Sequence, residues 1–284
     1  MRIGYYPGCS LLGSSREFDE SVRSLLGALQ VELVEVPDWS CCGASSAHLL
    51  EPRLALALPA RVLALAEDAG LEEVLAPCAA CSNRLLTTQR ELLEHPDRKA
   101  EIEAILGRPF AGTVRIVNIL QVLERFQERI AVAAPFARRV ACYYGCLLVR
   151  PGRVVDFDRV EDPQSMDRLV ALAGATPLDW AHKTECCGAA FSVARTDIVA
   201  ELCGRIVRDA VRRGAEALVV ACPLCHSNLD LRRPEIDAAL GAKHGIPVLF
   251  ITQLLGLAVG LDPRSLGLQR HLVPVEFQPA GAGA

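Results

Sequence analysis

Short apolar segments alternate with longer amphipathic segments along the whole chain. "MRIGYY", "LEEVLAP" and "AEALVVA" are short apolar runs, which predict strands. Residues 16–29 have apolar side chains on one face at helical spacing, and "ALALPARVLALAEDAG" and "IVAELCGRIVRDAVRRG" predict further helices, each ended by a glycine. This alternation predicts an α/β fold with small, partly parallel sheets and flanking helices.

The order of the predicted elements runs twice along the chain. "TVRIVNILQVLERF" (113–126) and "IPVLFITQLLGLAVGL" (246–261) each predict a strand followed by a helix, and each closes one half. The segment 130–139 lies between the halves. We therefore predict two tandem pseudo-symmetric domains, residues 1–135 and 136–284, and disorder in the C-terminal "QPAGAGA".

Cysteines recur in the same order in each half. Each half has one cysteine after a predicted strand, then a Cys-Cys-Gly triplet, and then a Cys-x-x-Cys pair. The flanking sequences agree too, since "YYPGC" matches "YYGC" and "VLAPCAACSNRL" matches "LVVACPLCHSNL", so the pattern indicates a tandem duplication. Sites in such sheets collect beyond the carboxyl ends of the strands, where the three motifs of each half are expected to converge. The repeated cysteines are Cys9, Cys41, Cys42, Cys78 and Cys81, and Cys146, Cys186, Cys187, Cys222 and Cys225.

Composition excludes several classes of protein. The chain has 284 residues, of which 51% are hydrophobic, and a formal net charge of −4, so it can form large cores and has no basic character that would favour nucleic acid. The N-terminus lacks a signal-peptide pattern, and the longest apolar segment, residues 248–261, is too short to span a bilayer. We therefore expect a soluble, cytoplasmic protein whose clustered cysteines bind metal or do redox chemistry rather than form disulfides.

The number of thiols in each half helps to identify which metal they bind. Five thiols exceed the four ligands of a tetrahedral zinc ion, and no histidine recurs at matching positions. Thiolates are the usual ligands of iron–sulfur clusters, and a Cys-x-x-Cys pair at a strand-to-helix turn places both sulfurs near the positive end of the helix. Iron–sulfur clusters are therefore favoured, with zinc at one site as an alternative. The chain has no ferredoxin-type cysteine run, so electrons would have to come from a separate subunit.

The doubled Cys, Cys-Cys-Gly, Cys-x-x-Cys pattern resembles the cysteine-rich CCG-domain proteins, above all the B subunit of heterodisulfide reductase. "CPLCHSNLD" and "TQLLGLAVGL" are especially similar to that branch. The resemblance implies that each half binds one non-cubane [4Fe-4S] cluster through all five of its cysteines. It also implies an oxidoreductase acting on sulfur groups, the catalytic subunit of a heterodisulfide reductase-like complex, which cleaves or forms a disulfide in one-electron steps at the two clusters.

The resemblance also implies partners. These are a ferredoxin-like C subunit with cubane [4Fe-4S] clusters, a flavin-containing A subunit, and a small disulfide or thiol substrate or a lipoyl-type carrier. Two other interpretations stay open. The chain could be a non-catalytic electron-relay component of a flavin dehydrogenase for glycolate, lactate, glycerol 3-phosphate or succinate, or a zinc-stabilised scaffold, which would have no visible absorption.

Three histidines and one lysine lie close to the cysteine motifs. His226 directly follows Cys225 and is a candidate catalytic residue, either bonding a cluster sulfur or delivering a proton to a leaving thiolate; an exposed histidine at a helix end is the alternative. His48 and His182 are weaker candidates, for which solvated side chains are expected. Lys183 could pair with an anionic substrate, but a solvated loop is the favoured interpretation.

Two cysteines fall outside the repeat. Cys203 lies inside a predicted helix and Cys142 lies on a predicted strand. Both are expected to be small buried packing residues, and Cys142 could otherwise be a spare or regulatory thiol.

Overall fold

The computed structural model describes residues 1–44 and 47–276, except for the side chain of His48. The disorder predicted for 278–284 therefore concerns residues outside the described part. The helix and strand bounds below follow the chain, first for the N-terminal half and then for the C-terminal half.

The N-terminal half contains a four-stranded sheet in the order β2-β1-β3-β4. Its strands are β1 (Arg2–Tyr5), β2 (Glu32–Glu35), β3 (Glu73–Leu75) and β4 (Arg115–Val117). Its helices are α1 (Gly8–Leu12), α2 (Arg16–Ala28), α3 (Ala47–Leu50), α4 (Pro52–Asp68), α5 (Ala79–Glu94), α6 (Pro96–Leu106) and α7 (Ile119–Arg125).

The C-terminal half repeats the sheet in the equivalent order β6-β5-β7-β8. Its strands are β5 (Arg139–Tyr143), β6 (Thr176–Pro177), β7 (Ala217–Val220) and β8 (Val248–Phe250). Its helices are α8 (Gly152–Val155), α9 (Ser165–Leu172), α10 (Thr196–Arg212), α11 (Pro223–Asp230), α12 (Arg233–Leu240) and α13 (Ile251–Ala258).

The predicted α/β architecture with two equivalent sheets is confirmed. The sequence predicted partly parallel sheets, and within the described residues every strand pairing is parallel, with Gly4 opposite Val74 in one half and Val140 opposite Ala217 in the other. Since parallel strands all end at the same edge, each sheet presents the carboxyl ends of its strands together. The segments that carry the cysteine motifs begin at that edge.

The two long helices that the sequence predicted are confirmed, together with their glycine ends. Gly70 follows α4 and Gly214 follows α10, and both have positive φ, +65° and +80°. A residue with a β-carbon would be strained in this left-handed conformation, so glycine allows the chain to leave the helix and enter the next strand.

The two halves pack against each other through helices as well as through the sites. Phe18 on α2 stacks on Phe250 at the end of β8, with ring centroids 4.1 Å apart. Beside this stack the buried hydroxyls of Ser21 and Thr252 are 2.7 Å apart. Contacts of this kind join the halves into one continuous core. The boundary between residues 135 and 136 stays a prediction.

No helix within the described residues is both long and apolar enough to cross a membrane. The apolar segment 248–261 instead folds into β8 and α13, which are buried in the C-terminal half.

Candidate functional site

Each cysteine motif of the N-terminal half follows the carboxyl end of a different strand. Cys9 lies in the first turn of α1 just after β1, the Cys41-Cys42 pair follows β2, and Cys78 is the residue immediately before α5, just after β3. Cys81 then lies in the first turn of α5. The convergence that the sequence predicted for this half is therefore present in the structure.

The sulfurs of the N-terminal site form an outer pair and a buried group. The Sγ atoms of Cys9 and Cys41 are 3.8 Å apart, and Cys9 is exposed to solvent. The Sγ atoms of Cys42 and Cys81 are 3.3 Å apart, and both residues are buried, as is Cys78. Hydrogen bonding with Cys41 and then with Cys81 lowers the pKa of the Cys42 thiol to about 3. Protons are therefore shared among sulfurs that lie too close together to ionise independently.

The C-terminal site has the same arrangement. Cys187 and Cys225 are buried with their Sγ atoms 3.8 Å apart, whereas Cys186 is exposed. A hydrogen bond with Cys146 lowers the pKa of Cys186 to about 6. The backbone N–H of Gly188 donates to Cys186 Sγ at 3.3 Å, as Gly43 N–H does to Cys41 Sγ at 3.4 Å. Each Cys-Cys-Gly loop thus turns its own amide toward its first sulfur, an interaction that stabilises a thiolate.

The two sites meet inside the molecule. Hydrogen bonding with Cys222 raises the pKa of Cys78, although these residues belong to different halves. Conversely, Cys225 and then Cys78 lower the pKa of Cys222. The buried ends of the two cysteine sets are therefore close enough to interact, while the exposed Cys9 and Cys186 face solvent.

Two tyrosines hold the Cys-Cys-Gly loops in place. The Tyr6 hydroxyl donates to Ser40 O at 2.8 Å, and the Tyr143 hydroxyl donates to Glu185 O at 2.7 Å. Ser40 and Glu185 are the residues just before Cys41 and Cys186. The repeated tyrosines of "YYPGC" and "YYGC" served as evidence of duplication in the sequence, and the contact with the loops is an additional role.

In each half, the backbone of a glycine lies against the sulfur of the second cysteine in the Cys-x-x-Cys pair. A β-carbon built on Gly8 would lie 3.1 Å from Cys81 Sγ, and one built on Gly145 would lie 2.8 Å from Cys225 Sγ. Both glycines have positive φ, +63° and +69°. Because glycine has no β-carbon, the backbone lies closer to these two sulfurs than it could with any other residue at the same position.

Replacing Gly145 by alanine is expected to impair the C-terminal site as well as stability. The positive φ costs about 1 kcal/mol for a residue with a β-carbon, and the methyl group would displace Cys225 Sγ. Gly241→Ala is the matched control, because Gly241 has a similar φ of +64° and nothing within 4 Å of the added carbon. Denaturant unfolding should show a loss of about 1 kcal/mol for Gly241→Ala and a larger loss for Gly145→Ala, whereas metal content should fall only in Gly145→Ala. Equal metal content in the two variants would contradict this prediction.

Each half offers five thiols, one more than a tetrahedral zinc ion binds. Four thiolates around one zinc ion at about 2.3 Å place all sulfurs within about 3.8 Å of one another. We compared this spacing with groups of three side-chain donor atoms that lie within 4.8 Å of one another. Within the described part of the chain such a group occurs at His226, Asp230 and His271, and not among the cysteines. Cysteine thiolates are the usual ligands of iron–sulfur clusters, so the donor set of each half fits such a cluster.

The two cysteines outside the repeat are buried, as predicted. Cys142 on β5 and Cys203 on α10 both have no exposed surface. Cys203 Sγ donates to Cys187 O at 3.4 Å, so this thiol supports the loop of the second triplet from behind. Burial raises the pKa of both thiols, which keeps them protonated and unreactive.

The favoured interpretation of Lys183 as a solvated residue is wrong. Its side chain is only 4% exposed, and its Nζ lies 3.0 Å from Asp167 and 3.1 Å from Asp162. Its carbonyl accepts the backbone N–H groups of Tyr144 and Gly145. Burial disfavours the charged amine, but the two carboxylates outweigh burial and raise the pKa of Lys183. The sequence could not reveal this because the carboxylates lie on a separate segment, 162–167.

His226 is buried, so the alternative of an exposed histidine at a helix end is wrong. Its side chain is 2% exposed, and its ring stacks on Phe250 with centroids 4.3 Å apart. Its Nδ1 lies 3.6 Å from Glu17 Oε1 of the other half. The role of His226 as a proton donor stays a prediction.

His182 is partly exposed, at 27% of its side chain, and contacts Trp180 edge to face. The side chain of His48 lies outside the described part.

His226, Asp230 and His271 form a buried polar cluster that the sequence analysis did not identify. His226 Nε2 lies 3.1 Å from the Val248 carbonyl, so this nitrogen carries the proton and Nδ1 has the lone pair. Gln253 Nε2 donates to Leu266 O and also contacts His271 Nε2 at 2.8 Å. His271 Nε2 therefore accepts, and its proton lies on Nδ1. Only one ring lone pair remains free, which is too few for a cation site.

Known proteins resemble this chain in both sequence and fold. A family model described as a cysteine-rich domain, CCG, matches residues 3–85 and 140–230. The chain is 31% identical over 279 residues to the 8-methylmenaquinol:fumarate reductase membrane anchor subunit of Wolinella succinogenes, covering 95% of this chain and 96% of that protein. It is 30% identical over 291 residues to the B subunit of the ferredoxin/F(420)H(2)-dependent CoB-CoM heterodisulfide reductase of Methanosarcina acetivorans, covering 97% of this chain and 95% of that protein.

Among solved structures, the fold is similar to that of a hypothetical protein from Helicobacter pylori. The TM-score is 0.78 at 13% identity, over 98% of this chain. The chain spans about half the length of that protein, 53%. At this identity the similarity concerns the fold alone.

Proposed function

Because the chain belongs to the CCG cysteine-rich domain family, with two matching segments, we propose that it is the iron–sulfur subunit of a heterodisulfide reductase-like complex. In this proposal it cleaves or forms a disulfide at two [4Fe-4S] clusters of the non-cubane type. Both named relatives are subunits of reductases, which supports the coarser part of the proposal, a CCG-type iron–sulfur subunit of a reductase-like complex.

One observation carries the proposal: two complete sets of five cysteines that meet at Cys78 and Cys222. A disulfide needs two electrons, and an iron–sulfur cluster accepts or delivers one at a time. Two adjacent sites in one chain match that requirement, whereas a single site would have to act twice. The proposed ligands are Cys9, Cys41, Cys42, Cys78 and Cys81 for one cluster and Cys146, Cys186, Cys187, Cys222 and Cys225 for the other.

The proposed reaction balances without any further cofactor in this chain. One disulfide, two electrons and two protons give two thiols, and the reverse reaction releases the same electrons and protons. Clusters, when bound, supply the one-electron redox chemistry. The chain's own residues hold the sites adjacent, keep the inner sulfurs away from water, and leave Cys9 and Cys186 open to solvent, the source of the protons. A ferredoxin-like partner with cubane clusters is the proposed electron source, and a flavin-containing partner would supply it in turn.

Metal and sulfide analysis of the anaerobically purified full chain tests this proposal directly. Two four-iron clusters require about eight irons and a matching amount of acid-labile sulfide per chain. About four irons together with one zinc would mean one redox site and would favour an electron relay. Zinc without sulfide would exclude the redox function and favour the scaffold interpretation.

A second candidate is a non-catalytic relay for a flavin dehydrogenase. The observation that favours it is the 31% identity, over 95% of this chain, to a protein named as part of a fumarate reductase. The two functions differ in what the assembled complex does with a small disulfide. Turnover of disulfide to thiol supports the catalytic proposal, whereas clusters that exchange electrons with the flavin partner but leave every disulfide intact support the relay.

A further inference from the structure

Among the equivalent positions at which the two sites differ, one pair differs in charge just after the Cys-x-x-Cys motif. The third residue after each Cys-x-x-Cys pair is Arg84 in the N-terminal half and Asn228 in the C-terminal half. Arg84 lies one turn after Cys81 on the same face of α5, and Asn228 faces the second cysteine of its own triplet, Cys187. Asn228 Nδ2 lies 3.6 Å from Cys187 Sγ and donates to Cys187 O at 3.0 Å, and the charge of Arg84 interacts with Cys42. The repeat therefore places a cation at one site where the other has a neutral amide.

The guanidinium of Arg84 is not neutralised by a carboxylate. Its Nη2 donates to Ala55 O at 2.7 Å, and none of the ion pairs among the described residues includes it. Its Nε is buried and has no hydrogen-bond partner within the described part of the chain. Arginine keeps its proton in proteins, so Arg84 carries a full positive charge one helical turn from Cys81, and its buried Nε–H has no partner among the described residues.

Asn228, by contrast, is neutral and fully engaged. Its side chain is 2% exposed, its Oδ1 lies 2.8 Å from Ser192 Oγ, and its Nδ2 is used by Cys187. A second difference in charge lies just before each triplet. The residue there is the neutral Ser40 in the N-terminal half and the acidic Glu185 in the C-terminal half. Glu185 acts electrostatically on Cys186. Both differences make the C-terminal site more negative than the N-terminal one.

We propose that Arg84 makes the two sites unequal in electron affinity, so that the N-terminal site is reduced at the higher potential. The inference rests on the proposed function, because it requires a redox cluster in each half. Adding an electron makes a cluster more negative, and the positive charge of the half-buried Arg84 stabilises that state more than an amide dipole does. Arg84 therefore acts through the positive charge that it places near the N-terminal site. That charge sets which of the two sites accepts an electron first.

The test is an anaerobic spectroelectrochemical titration of the cluster-loaded full chain. The wild type should show two one-electron steps. Arg84→Gln should lower the upper step, with a change on the order of tenfold in its reduction equilibrium, or about 59 mV, and should leave the lower step in place. Arg84→Lys, which keeps the charge, should largely restore the upper step. Glu185→Gln, an exposed change that requires no repacking, should raise the lower step.

The matched control is Arg98→Gln, which removes an exposed arginine that pairs with Glu91. It should move neither step. A single unresolved step in the wild type, or Arg84→Gln and Arg84→Lys shifting the upper step equally, would overturn the inference while leaving the clusters in place. Absence of iron–sulfur absorption in the wild type would instead remove the proposed function, and the inference with it.

Discussion

Replacing Cys42 by serine is expected to lower the iron content of the full chain from about eight atoms to about four. Cys42 Sγ is buried 3.3 Å from Cys81 Sγ, so its loss leaves the inner part of the N-terminal site one ligand short. A serine hydroxyl is a hard, weak ligand for iron compared with a thiolate. Iron, acid-labile sulfide and the visible spectrum, measured on anaerobically prepared protein, check this expectation.

Cys187→Ser should have the same effect on the C-terminal site, because Cys187 occupies the equivalent position 3.8 Å from Cys225. Cys203→Ser is the matched control. It also replaces a fully buried cysteine, and the serine hydroxyl can still donate to Cys187 O as the thiol does. This control should retain about eight irons. If Cys42→Ser and Cys187→Ser both keep the full iron content and spectrum, the five-cysteine sites are refuted.

Lys183→Met is expected to destabilise the protein by about 3 kcal/mol, because it leaves the nearly buried Asp167 carboxylate without its cation. Lys183 Nζ lies 3.0 Å from Asp167 Oδ1, and the side chains are 4% and 10% exposed. The change also loosens the segment just before the second triplet, whose Lys183 carbonyl accepts the N–H groups of Tyr144 and Gly145. Denaturant unfolding of the full chain measures the loss.

Asp162→Asn is the control for this prediction. Asp162 contacts the same Nζ at 3.1 Å, but its side chain is 52% exposed, so this change should cost less than about 1 kcal/mol. Equal losses in the two variants would refute the claim that burial makes the Lys183–Asp167 pair important. Because the carboxylates raise the pKa of Lys183, its stabilisation is fully present at neutral pH. That stabilisation should disappear only as the pH rises through the raised value.

Much of the fold could be predicted from local patterns. The strands before Cys9, Cys78 and Cys222 are short apolar runs, and the helices after them have helical spacing or glycine ends, all of which depend on neighbouring residues. The duplication predicted the similarity of the two halves, because halves with the same motifs in the same order should carry those motifs at equivalent positions of the fold. Convergence of the cysteines at one edge of each sheet then follows from parallel topology.

The side chains around the cysteines could not be predicted in the same way. Lys183 and His226 were both open to interpretation as solvated residues, yet each is buried by segments distant in sequence, 162–167 for the lysine and α2 with β8 for the histidine. Burial depends on which distant segment covers a residue, and no local periodicity carries that information.

Residue type and spacing are therefore enough to predict the α/β class, the two equivalent halves and the set of ten repeated cysteines. The interaction of Cys78 with Cys222 across the halves, and the contact of Asn228 with Cys187, depend instead on how the chain packs in three dimensions. The physical reason is that contacts and electrostatic interactions act over a few ångströms in space. Those distances are fixed only when both halves pack into one core.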